Sequence, residues 1–153
     1  MTETSAMLFL VGFGIAVSYF DIKSKSIPNW LTALFLLFCF GFGVFWILIG
    51  AVKLSQAIWG CLIASVFFLL LYLVSRGALG EADLKLAPGI GILMSVFSFT
   101  AAIWWILFAF VLAGGFAAIM LLLRRLQPKQ EFAFGPFMFL GALITTQLMQ
   151  IYQ

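Results

Sequence analysis

The sequence contains no histidine and only two cysteines, and just 8% of its 153 residues are charged. Lacking imidazole, it has no usual zinc site, no protease chemistry that relies on a histidine base and no haem held through histidine. Cys39 and Cys61 each lie in an apolar run without CxxC spacing or a polar neighbour, so they read as small packing residues. Acids are scarce: Glu3, Asp21, Glu81, Asp83 and Glu131 complete the set. The formal net charge of +3 gives no support to nucleic-acid binding, because cationic loops are expected of a membrane protein facing the cytoplasm.

Apolar residues take the place of charge. They make up 65% of the chain, against about 45–50% apolar and about 25% charged in soluble domains. A helix crosses a hydrocarbon core of about 30 Å in roughly 20 residues, so six spans need roughly 120. That leaves short connections and no room for a separate soluble domain. Outer-membrane barrels alternate apolar and polar residues, whereas residues 31–50 are apolar on every side. The expected fold class is all-α: a polytopic integral membrane protein with six transmembrane helices, residues 1–153 forming one membrane-embedded domain.

Six apolar segments separate at 7–20, 30–50, 54–74, 84–96, 100–123 and 134–151. The first has no preceding basic region and no small-residue cleavage site, so it reads as a span and not a secretion signal. The first and fourth are short, with Asp21 following one and Asp83 preceding the other. Glycine pairs at 12 and 14, 41 and 43, 89 and 91, and 114 and 115 read as close-packing positions, and the tryptophans as interfacial anchors or packing. No repeat or pair of broken helices of the transporter kind is present.

Six crossings place the loops after spans one, three and five on one face. Those loops hold Asp21, Asp83 and residues 124–131, together with Lys23, Lys25, Arg76, Lys85, Arg124, Arg125 and Lys129, while Lys53 alone falls opposite. The positive-inside rule makes the first face cytoplasmic and puts both termini on the outer side. Acids at a bilayer edge are costly unless paired or wet, so Asp21 and Asp83 are candidate functional residues. The competing reading pairs them with Lys23, Lys25 and Lys85 at the headgroup layer. Glu3 and Glu131 read as solvated surface. Pro28-Asn29 suits a helix start, and Gly80 precedes a helix with Glu81 and Asp83 in its first turn, where the dipole favours negative charge.

Three blocks together give the chain its resemblance. They are Asp21 with Ile27-Pro28-Asn29, then Gly80-Glu81-Ala82-Asp83-Leu84-Lys85-Leu86, then Phe134-Gly135-Pro136-Phe137 followed by Leu140-Gly141-Ala142. In order, spacing and span layout the chain resembles the type IV prepilin peptidases, aspartic membrane proteases with a GxGD motif. The motif's second glycine is Ala82 here, which adds a methyl group beside Asp83. The resemblance covers nearly the whole chain but not the cytoplasmic CxxC insertion of larger, bifunctional relatives, which implies no linked methylation. The chain is similar to the minimal peptidases of Tad-type (Flp) pilus or preflagellin systems.

This resemblance implies that Asp21 and Asp83 are catalytic, with Ile27, Pro28, Asn29, Gly80, Glu81, Ala82, Lys85, Gly135 and Pro136 in support. It implies a substrate with a short basic leader and one apolar helix. Two nearby, partly desolvated carboxyls resist double ionisation and share a proton, so one acts as base and the other as acid. Lys85 must then point away from Asp83, as an offset of about 200° on a helix allows, and Glu81 is expected to face solvent. Asp21, Glu81 and Asp83 offer oxygen ligands, but their spacing demands no metal, and neither metal nor cofactor is assigned. The other readings are a small transporter or ion- or proton-conducting subunit using the same acids, and an inactive assembly protein spoiled at Ala82. The oligomeric state is not legible.

Overall fold

The structure, a computed structural model, describes residues 2–24, 27–75, 80–123 and 134–151, excluding the side chains of residues 2–4 and 24. Lys25, Arg76 and residues 124–131, used above to assign the cytoplasmic face, lie outside the described residues. The described residues form six helices: α1 (Thr2–Ser24), α2 (Asn29–Leu48), α3 (Leu54–Val74), α4 (Glu81–Phe97), α5 (Ala101–Leu122) and α6 (Gly135–Ile151). Four of them, α1, α2, α3 and α5, are long and apolar enough to cross a membrane, and α6 is a shorter apolar helix. The chain is an all-α polytopic membrane protein.

One boundary corrects the sequence reading. Asp21 does not follow the first helix but lies within it, one turn from its end. Neither glycine nor proline interrupts the chain between Ile15 and Pro28, so the helix runs on. Lys23 complements the negative end of the helix and donates a hydrogen bond to the Tyr19 hydroxyl at 3.1 Å.

α4 is the central element. It is only 17 residues long, and most of them are buried against α2, α3, α5 and α6. Small residues let its neighbours approach. A Cβ on Gly60 of α3 would meet the Gly91 carbonyl oxygen at 2.6 Å, and one on Gly89 would meet the Phe35 ring of α2 at 2.8 Å. In lipid, where apolar burial gives helices little reason to associate, such close packing supplies the attraction. The packing reading fails at Gly12, Gly41, Gly114 and Gly115, where an added Cβ would touch nothing within 4 Å. Those four lie on the outward faces of their helices.

The backbone of α1 rests on α6, whereas α1 meets α2 through rings. Phe9 and Phe13 lie 5.9 and 5.4 Å from the centre of Phe35, and Phe9 lies 5.7 Å from Phe38. At the far end of the bundle α2 turns into α3 through Gly50, whose φ of +74° is costly for other residues. Lys53 caps α3 there, remote from both aspartates.

Candidate active site

Both aspartates are buried at the same end of the bundle, each beside a helix N-terminus. Asp21 is 8% exposed and Asp83 is 4% exposed. Asp21 projects from the C-terminal part of α1, where its own helix dipole opposes a negative charge. The N-terminus of α6 offsets that cost: the Gly135 N–H donates to Asp21 Oδ2 at 2.9 Å. Glycine is required for this approach, since a Cβ at 135 would lie 2.7 Å from the same oxygen. The neighbouring Phe134 ring fixes the start of α6, with centroids 5.0 Å from Phe110 and 6.1 Å from Phe68. Pro136 fits the first turn because the N–H it lacks has no partner within a helix at that position.

Asp83 is the third residue of α4, and Gly80 is the N-cap. Its carboxyl takes a hydrogen bond from the Gly80 backbone N–H while its own N–H donates to the Gly80 carbonyl at 3.1 Å. The bond from carboxyl to N-cap N–H is one half of a capping box; Gly80 has no side chain for the other half, and its carbonyl takes the Asp83 N–H instead. Asp83 precedes the apolar stretch of α4. Burial pushes its carboxyl up to about 7 from an ordinary 3.8, the charge of Asp21 adds to the rise, and the Gly80 N–H opposes it. The two acids are therefore electrostatic neighbours, although they come from helices whose starts and ends are far apart in sequence.

Among the described residues neither aspartate forms an ion pair, so the pairing with lysines considered above is not found there. Lys85 approaches Glu81 Oε2 at 3.9 Å and donates to Asn29 Oδ1 at 3.1 Å, on the side of α4 away from Asp83. Lys23 lies 5.3 Å over the Tyr19 ring. The Glu81 side chain is 73% exposed, as a solvent-facing acid should be.

A polar cleft of about 380 Å³ opens between the starts of α2 and α4, lined by Ile27, Pro28, Asn29, Gly80, Glu81, Ala82 and Lys85. Every one of these belongs to the first two sequence blocks. Ala82 is the second residue of α4, half-buried and packed against the edge of the core, so its methyl group is accommodated in ordinary helical backbone. An apolar groove of about 370 Å³ runs between α1 and α6 and includes Ile22 and Pro136, the residues next to Asp21 and Gly135.

Both aspartates, Gly135 and the lining of the polar cleft fall within the sequence blocks, whereas Ile22, Phe68 and Phe110 do not. What the blocks did not show is the bond between Asp21 and Gly135, or that Asn29 and Lys85 are partners. Spacing carries no signal for contacts between residues 114 and 56 positions apart.

This geometry coincides with what the chain is similar to. A model of the type IV leader peptidase family matches residues 8–123, which include both aspartates and end before Gly135. No curated protein and no solved structure matches the chain. With a match over most of its length and with helices suited to a bilayer, the chain belongs to the type IV leader peptidase family.

Proposed function

We propose that this integral membrane protein is an aspartic endopeptidase that removes the short basic leader of type IV prepilin-like proteins, with Asp21 and Asp83 as its catalytic residues. The observation that carries the proposal is the pair itself: two buried carboxyls from α1 and α4, close enough for one to raise the pKa of the other, beside a polar cleft. The substrate's apolar helix lies in the bilayer and its scissile bond reaches the pair. Peptide bonds inside a helix are shielded, so the substrate unwinds where it is cut.

Asp83, pushed up to about 7, begins as the protonated member, and Asp21, steadied by the Gly135 N–H, begins as the base. Asp21 takes a proton from water as the oxygen attacks the scissile carbonyl. Asp83 donates a hydrogen bond to the developing oxyanion, and a carboxyl proton then goes to the departing amine. Water is the nucleophile, so no acyl-enzyme forms, and the carboxyls need no cofactor. The macroscopic pKa values belong to the pair.

The cation distribution in the sequence supports an orientation with the pair at the cytoplasmic face of the inner membrane and both termini outside. In this reading residues 1–153 act as one peptidase domain, and its partners are the prepilin-like substrate and the surrounding lipid. The test is co-expression with a prepilin bearing a basic leader. Asp21→Asn and Asp83→Asn should each abolish leader removal while the protein still accumulates in the membrane; cleavage at the normal rate in either variant overturns the assignment.

A further inference from the structure

Lys85 stands two residues after Asp83, and an ammonium so near would be drawn to a pair of buried carboxyls. The helix starts its side chain on the far side of α4, and the ammonium finds partners there: Asn29 Oδ1 at 3.1 Å and Glu81 Oε2 at 3.9 Å. Asn29 is the first residue of α2, directly after Pro28, whose carbonyl accepts the first N–H groups of that helix. The bond therefore joins the starts of two helices that form opposite walls of the polar cleft.

We propose that Asn29 and Lys85 are positioning residues for the acid pair: their hydrogen bond ties the first turn of α2 to the N-terminal part of α4 and holds the ammonium on the Glu81 side, away from Asp83. This rests on the reading of Asp21 and Asp83 as the catalytic pair. It gives two separate sequence blocks one shared task. The described charged groups around the pair are Glu81 and Lys85 on α4 and Lys23 on α1. Lys23 is engaged with Tyr19, and Lys53 lies at the other end of the bundle. Lys85 is thus the described cation whose release would matter. A freed ammonium near Asp83 favours the ionised form and removes the acid from the pair at a lower pH.

The test is the pH profile of prepilin cleavage by the full chain in detergent micelles. Asn29→Ala should lower kcat roughly tenfold with KM nearly unchanged, as expected of a displaced catalytic group. Its alkaline limb should also move down by about half a pH unit. Lys85→Met should lower kcat similarly without moving the limb down, and the double variant should behave like Lys85→Met. Asn29→Asp, which still accepts a hydrogen bond from the ammonium, should keep the limb at or above its wild-type position. A wild-type limb in Asn29→Ala, or an equal downward shift in Lys85→Met, overturns the proposal. Both side chains are exposed, so neither change empties the core, and the Lys85→Met profile decides the matter should Asn29→Ala fail to accumulate. Retained cleavage in the aspartate variants would instead fail the catalytic reading, so the two failures are distinguishable.

Discussion

Asp21 and Asp83 reach the same place by opposite routes. Asp83 is held by its own helix: the Gly80 N–H three residues earlier donates to the carboxyl as part of an N-terminal cap. Asp21 sits at the unfavourable end of its helix and is held by another, through the Gly135 N–H that α6 brings across the bundle. One site is a local consequence of sequence, and the other exists only when the tertiary fold is complete. The difference teaches which substitutions are tolerated. A local cap relaxes when perturbed, whereas a contact between two packed helices is fixed from both sides.

Removing either acid is the strongest way to break the comparison. Asp21→Asn and Asp83→Asn should each lower leader cleavage by roughly 10³-fold or more, and the double variant should be little worse, because groups that act as a unit lose their effect together. The next largest effect separates the two routes. Gly135→Ala puts a Cβ 2.7 Å from Asp21 Oδ2 and should lower kcat by about 10²-fold, as an ångström-scale misplacement does. Gly80→Ala meets Asp83 Oδ2 at 3.3 Å, a milder crowding, and should cost only a few-fold in the same assay.

Stability in detergent sharpens the contrast further. Asp83 titrates at about 7 in the folded protein against 3.8 when unperturbed, so the folded state keeps a proton that the unfolded state has lost. Its contribution is full below the lower value and is lost as pH rises through the interval to about 7, by a few kcal/mol in order of magnitude. Thermal unfolding midpoints should fall over that interval, and Asp83→Asn should flatten the trend. The smallest effect is expected at Ala82→Gly. Cleavage should stay within about twofold of wild type, with a loss of up to about 1 kcal/mol in stability from glycine in a helix. A collapse of activity would mean that the methyl group shapes the site.

The sequence was most informative where structure is local. Six apolar runs, the helix start at Pro28-Asn29 and the acid in the first turn of α4 all follow from composition and short-range chemistry, and the structure has them. The end of α1 is not legible from charge, since a charged residue limits the apolar run of a span without ending its helix: α1 continues past Asp21 to Ser24. Likewise, glycine in a span does not by itself indicate a close neighbour: Gly91 packs against Gly60, and Gly41 faces outward. The Asp21–Gly135 bond was beyond reach for a related reason, since the meeting of α1 and α6 depends on how all the helices pack around α4. Ala82 was legible as a departure from the family pattern, but its place in regular helical backbone was not.

Infrared titration of the carboxyl groups, in the full chain and in the two aspartate variants, tests the central claim most directly. The wild-type protein should lose one carboxylic acid proton near pH 7, and Asp83→Asn should lack that step. In Asp21→Asn the step should move to lower pH, because the neighbouring charge that helps to raise it is gone. An Asp83 titration that stays in place when Asp21 is neutralised would contradict the claim that the two acids act as one pair.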